Sequence, residues 1–324
     1  MFAFGSAVEG GRKSDVPPSQ DPAAPPTGGE APQQTPLFGS RPGAITRTGR
    51  EDTDGGSGGQ GASIAMHSSV ASVGDPIPDS VTEEQLMNSG HELHESYTCL
   101  LCCLPIGLPT VEHCSLMTCC MKQVCDGCIH ASRLRGMGDM CPFCRAPTPH
   151  TNAAMLVQVR KRIDAKHPKA IEFLATAYRD GTFGLQQDIP RATELWTEAA
   201  RLGDLNAQCR IGMAHYDGKY VEQDKEKATR HWQHAAIQGH PESRYTLGFL
   251  EYESGNHGMA VRHWMISAIM GHEESLNEIK DMFMRGLATK AQYADAMKGY
   301  QDALKETKSH HREEAKAFFD DEQK

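Results

Sequence analysis

Two patterns in this 324-residue sequence predict a mainly α-helical chain in which a small metal-stabilised module precedes an α-solenoid. Ten of the eleven cysteines crowd between Cys99 and Cys144. Past residue 150, a tryptophan-centred pattern returns every 32 to 36 residues. A third feature, a start rich in Gly, Pro and Ser, predicts a disordered N-terminal tail over residues 1–80. Stretches such as Pro17 to Pro26 and Asp54 to Gly61 bury too little apolar surface to offset the entropy of ordering them.

Order is predicted to begin at Ser80-Val81-Thr82-Glu83, read as a capping box that opens a short helical lead-in over residues 81–96, running toward Met87. The start of the chain has no basic segment followed by an apolar core, and no run of eighteen apolar residues follows anywhere, so neither export nor a membrane span is expected. A formal net charge of -9 and a pI near 6.0 argue against a nucleic-acid binder working by bulk electrostatics.

The cysteines run Cys99-x2-Cys102, Cys119-Cys120, Cys125-x2-Cys128 and Cys141-x2-Cys144. A Cys-x-x-Cys pair brings two thiolates to one point, and tetrahedral zinc takes four such ligands, so pairs of pairs predict two zinc ions. A disulfide framework is the competing reading, but it needs an oxidising compartment that nothing at the N-terminus specifies. Zinc places the chain in the cytosol or nucleus. The segment 97–148 is too short for much of a core, so metal would supply most of its folding free energy.

This order of cysteines resembles a RING finger, in which alternate ligand pairs share a zinc. The resemblance implies that Cys99, Cys102, Cys125 and Cys128 hold one ion, and that Cys119, Cys120, Cys141 and Cys144 hold the other. It also implies a surface for a ubiquitin-conjugating enzyme: Leu101 just before the second ligand, Pro142 within Cys141-Pro142-Phe143-Cys144, and Arg145 after the last ligand, positioned to bridge the enzyme and its bound ubiquitin. The sequence departs from the family in two places. Lys122 stands where a histidine ligand is expected, so the fourth ligand of the second zinc is Cys119, with His113 and Cys114 as alternatives. No tryptophan lies between Cys128 and Cys141, where Ile129 or Leu134 would take its place.

Beyond residue 150 the period is explicit. Trp196, Trp232 and Trp264 each follow an alanine by four residues (Ala192, Ala228, Ala260) and precede a glycine by seven (Gly203, Gly239, Gly271). Leu174-Ala175, Ile211-Gly212 and Leu247-Gly248 open equivalent upstream stretches, and Gly181 and Gly218 close the first two. A worn fourth copy carries Ile279, Phe283, Gly286, Ala296 and Tyr300. Each unit reads as a helical hairpin whose small residues admit a large tryptophan, and stacked hairpins make a solenoid. The residues and period resemble Sel1-like repeats, relatives of the tetratricopeptide class. A cap helix near Asn152–Lys166 and a charged C-terminal tail over residues 308–324 complete the solenoid segment, 152–307. Here the tryptophans are core, Cys209 is a small buried apolar group, and His215, His231, His234 and His263 are surface or satisfied core side chains.

No nucleophile motif, phosphate loop or dinucleotide fingerprint accompanies these features. The two resemblances together imply a ubiquitin ligase with no covalent intermediate of its own, which holds the conjugating enzyme on the zinc domain and recruits a protein substrate through the repeats. The alternative is a non-catalytic zinc-binding adaptor or scaffold. No nucleic-acid or membrane partner is expected.

Overall fold

A computed structural model describes residues 79–321, and all but two residues of the predicted tail lie outside that range. The lead-in helix α1 spans Glu83–Asn88. Its cap is Thr82 rather than Ser80, because Gln85 sits three residues on and returns a hydrogen bond to the Thr82 backbone, completing the capping box. After a single 3-10 turn at Glu95–Tyr97 comes the cysteine module, built on an antiparallel hairpin of β1 (Cys114–Met117) and β2 (Lys122–Cys125). Helix α2 (Asp126–Leu134) follows directly. The strands pair Cys114 with Cys125 and Met117 with Lys122.

The remainder is helical. Helix α3 (Asn152–Asp164) leads into four antiparallel hairpins: α4 (Pro168–Asp180) with α5 (Ile189–Arg201), α6 (Leu205–Asp217) with α7 (Lys225–Ile237), α8 (Pro241–Glu253) with α9 (His257–Ile269), and α10 (Glu273–Met284) with α11 (Lys290–Glu306). The four predicted units are these four hairpins, and the fold is the expected α-solenoid. Gly181 and Gly218 end α4 and α6 in the left-handed conformation that favours glycine.

Why small residues recur upstream of each tryptophan is now visible. The Trp232 indole lies against Gly212, where an added Cβ would come within 2.7 Å of its Nε1, and Trp264 lies against Gly248, where the distance would be 2.6 Å. The closeness lets each indole nitrogen donate to a backbone carbonyl of the partner helix, Trp232 to Cys209 at 3.1 Å and Trp264 to Tyr245 at 3.2 Å. Trp232 and Trp264 are thus buried with their one polar atom satisfied, whereas the buried Trp196 Nε1, where alanine replaces the glycine at Ala175, finds no acceptor among the described residues.

Successive hairpins are also registered by polar contacts at the N-termini of their first helices. His240 caps α8 and reaches back with Nε2 to Asn206 Oδ1 of α6 at 3.2 Å. His272 caps α10 and reaches back to Glu242 of α8 at 3.6 Å. Burial pushes the His240 imidazole down to about 3, and likewise that of His263 on α9. In an unfolded chain each would titrate near pH 6.5. Only the unfolded state takes up these protons, so stability is complete above about pH 6.5 and declines from there toward about pH 3. Between pH 7 and pH 5 the expected loss is about 2 kcal/mol per histidine. Urea unfolding followed by tryptophan fluorescence, which reports the hairpins alone, checks this; an unchanged midpoint over that range would refute it.

The segment read as a charged tail, 308–324, is different in the structure. Residues His310–Asp321 form helix α12, which lies against α2 of the cysteine module. Ala315 is fully buried there, and the Phe318 ring packs 4.9 Å from His130. A few apolar groups spaced three or four apart give this charged helix a buried side.

The lead-in is bound as firmly. Leu86 and Met87 enter the apolar cluster of Trp232, Leu247, Ile266 and Met270. Beneath them Arg244, fully buried on α8, donates to the carbonyls of Leu86 (2.6 Å), Ser89 (2.7 Å) and Ala236 (3.1 Å). These carbonyls end α1 and α7, so one guanidinium satisfies the negative ends of two helices. Burial pushes Arg244 down to about 10, which leaves it charged at neutral pH.

Candidate metal centre

All eleven cysteines are free, and eight of them converge in two groups. Cys99, Cys102, Cys125 and Cys128 form one; Cys119, Cys120, Cys141 and Cys144 form the other, with the sulfurs of each group within 4.8 Å of one another. Neither His113 nor Cys114 joins them. Cys114 lies on β1, where burial pushes its thiol up to about 12, so it stays protonated.

The local backbone explains how each group is assembled. Cys103, Met121 and Arg145, each directly after a tetrad cysteine, have φ of 56°, 56° and 61°. Each donates its N–H to the carbonyl four residues back: Cys103 to Cys99 (2.7 Å), Met121 to Met117 (2.7 Å) and Arg145 to Cys141 (2.8 Å). The same tight turn therefore occurs three times. At Met117–Met121, however, the first position is methionine, and the missing sulfur comes from Cys119 inside the turn. This turn accounts for two adjacent residues serving one group.

Sulfur spacings test whether a metal would fit. They are 3.9 Å for Cys99–Cys128, 3.7 Å for Cys102–Cys125, 3.3 Å for Cys119–Cys144 and 3.9 Å for Cys120–Cys141. Four thiolates about 2.3 Å from a central zinc in a tetrahedron have edges of about 3.8 Å. The donor set and its spacing are compatible with zinc. In the first group a hydrogen bond from the Cys125 thiol, with backbone N–H donors including that of Cys125 itself, outweighs burial and pulls Cys99 down to about 4, so a thiolate is already favoured there.

Side chains from the solenoid close around both groups. Arg162 of α3 donates to the Cys119 carbonyl through Nε at 2.8 Å and through a second nitrogen. Thr118 donates to Gln158 of the same helix at 2.7 Å. Met121 packs with Val159 and Ala170. Tyr97, just before the first knuckle, is buried near His240, and burial in company with Glu242 raises its phenol well above the ordinary range. None of these partners has a motif in the sequence.

The three predicted surface residues lie at the periphery of the module. Leu101 is 39% exposed, Arg145 is exposed and Pro142 half-buried. Leu134 is exposed on α2, whereas Ile129 packs into the small core beside Ile106 and Val124. His215, His231 and His263 are buried within the hairpins, His215 against the Glu222 carbonyl and His231 against Gln208. Cys209 is buried and pushed up to about 12 by its surroundings, a small apolar group as expected.

A family model for the Sel1 repeat matches residues 168–204 and 205–240, which are the α4–α5 and α6–α7 hairpins. These two hairpins are Sel1 repeats. The α8–α9 and α10–α11 hairpins continue the same stack, so the chain carries a Sel1-repeat scaffold of the kind that mediates protein–protein interaction. No curated protein matches the chain at a significant level. Among solved structures it is similar to a Sel1 repeat protein from Oxalobacter formigenes, with 26% identity and a TM-score of 0.35 over 39% of this chain and 97% of that one. It is also similar to c5321, a protective antigen of uropathogenic Escherichia coli with an SLR fold, at 22% identity and a TM-score of 0.41; the match covers 57% of this chain and 38% of the antigen. A third similar structure is the immunity protein Pa5087 of Pseudomonas aeruginosa, at 19% identity and a TM-score of 0.37, covering 55% of this chain and 66% of that one. Among the described residues, no helix is long and apolar enough to cross a membrane.

Proposed function

We propose that the cysteine module is a RING-type zinc domain and the chain a ubiquitin ligase that recruits its protein substrate through the Sel1 repeats. Zinc here supplies structure: two ions cross-link the knuckles through the eight cysteines of the two tetrads. Zinc-held thiolates belong to a reducing compartment, the cytosol or nucleus.

One observation carries the reading. Leu100, Leu101 and Phe143 remain 45%, 39% and 41% exposed on two knuckles of a module with very few buried apolar residues. Side chains of this size at the tips of metal knuckles add nothing to folding there, and they suit a partner's surface. Arg145 follows Phe143 in the same turn and is exposed, and its side chain has no ion pair or hydrogen bond among the described residues. In a ligase of this type Leu101 and Pro142 hold the conjugating enzyme, Arg145 steadies its bound ubiquitin, and a substrate lysine attacks the thioester. Rate acceleration then comes from positioning.

The adaptor reading rests on a different observation. The Gly127 and His130 side of α2 is covered by α12, and the uncovered part carries no aromatic residue. Autoubiquitination with a panel of conjugating enzymes separates the two. Wild type is expected to build chains, and Leu101→Ala and Arg145→Ala to reduce the rate at least tenfold, about 1.4 kcal/mol of lost positioning, with zinc still at two per chain. A folded, zinc-loaded wild type that is inactive with every enzyme of the panel would leave the adaptor.

A further inference from the structure

The C-terminal helix reaches a metal tetrad that lies some two hundred residues away in sequence. The Arg312 guanidinium of α12 donates to the carbonyls of Thr307 (2.7 Å), Leu104 (3.3 Å) and Pro105, and Nη2 lies 3.4 Å from Cys102 Sγ. The carbonyls hold the planar fork so that one N–H points at the sulfur. Room for this approach depends on Gly127, where an added Cβ would lie 2.8 Å from the Arg312 backbone nitrogen and from its Cγ. Farther along, Phe318 packs on His130, and Arg133 lies 5.7 Å over the Phe319 ring.

Four thiolates around a divalent ion leave two surplus negative charges. A cation donating to one of the sulfurs offsets part of that charge and stabilises the loaded site, as groups behind the direct ligands commonly do. The second tetrad is held differently, since Arg162 donates to a backbone carbonyl and not to sulfur. We propose that Arg312 is a positioning and charge-neutralising residue of the first metal site alone, so that metal retention there and docking of α12 are one coupled equilibrium. Whatever raises one raises the other by the same factor. A partner that draws α12 away would loosen the first metal, and metal loss would free α12.

The inference rests on the zinc reading, and its test separates the two. Full-length zinc-loaded protein is mixed with the chromogenic chelator 4-(2-pyridylazo)resorcinol, and the release of each zinc is timed. Arg312→Gln is expected to release one zinc about tenfold faster and the other at the wild-type rate. Phe318→Ala combined with Phe319→Ala undocks the helix without touching a knuckle and should do the same, which keeps the test open should Arg312→Gln fail to fold. Hydrogen exchange at residues 310–321 should rise when zinc is removed from wild type. Wild-type release rates in folded variants, or exchange over 310–321 indifferent to zinc, overturns the coupling while leaving the zinc reading intact. A wild type that binds no zinc overturns the zinc reading and the coupling with it.

Discussion

Stripping metal from the intact chain is expected to unfold residues 97–148 while the hairpins stay helical. The apolar cluster inside the module is small, Cys99, Ile106, Val124 and Cys125, and two of those four belong to a tetrad, while Met121 and Tyr97 are buried against helices outside the module. Without the ion, eight mostly protonated thiols are left with nothing to hold them together, and little apolar burial takes its place. Structural zinc contributes about 10–16 kcal/mol in small domains of this kind, far more than such a core provides. Hydrogen exchange before and after chelation measures the effect: Ile106 and Val124 amides should lose their protection, while Ala192, Ala228 and Ala260 in the hairpins keep theirs. Protection persisting at Ile106 after complete zinc removal would mean that the module folds on its apolar contacts.

Substituting Arg244 is expected to be the most damaging single change in the repeats. Arg244→Met keeps the volume of the stem but strips the carbonyls of Leu86 and Ser89 of their donor and leaves that of Ala236 with the Gly239 N–H alone. Breaking a buried charged contact of this kind costs about 3–5 kcal/mol. Arg244→Lys should recover only part, since one ammonium cannot fan out to three carbonyls. The lead-in from Glu83 to Tyr97 should then become sensitive to protease well below the global urea midpoint. A midpoint within experimental error of wild type would show that Leu86 and Met87 alone hold the lead-in.

The sequence disclosed the parts whose chemistry is local. Cysteine spacing encodes the knuckles directly, because a tight turn between two ligands fixes their separation. The hairpins could be read because the spacing of small residues and tryptophan returns from unit to unit, and in two of them it reflects a direct contact of glycine with the indole. Cys119 beside Cys120 departs from the Cys-x-x-Cys spacing for a physical reason that only the backbone supplies: the turn at Met117–Met121 has methionine where its two counterparts have cysteine, and Cys119 within it provides the second sulfur. What could not be read are contacts that join distant segments. Arg244, Arg162 and Arg312 sit in ordinary charged stretches, and nothing near them in sequence indicates that they reach carbonyls or a sulfur. The same holds for α12, whose few apolar residues carry too weak a periodicity among so many charges to distinguish a docked helix from a solvated tail.

Arg244 has one more consequence, for the order in which the chain is made. It meets Leu86 across 158 positions of sequence. A ribosome extending the chain at 5–20 residues per second needs roughly 10–30 s to traverse that gap. Throughout that interval the nascent lead-in lacks the Arg244 clamp, and Leu86 and Met87 have only the Trp232 side of their cluster to pack against. Solenoids ordinarily mature hairpin by hairpin behind the ribosome, but here the lead-in waits for the third hairpin before it can settle.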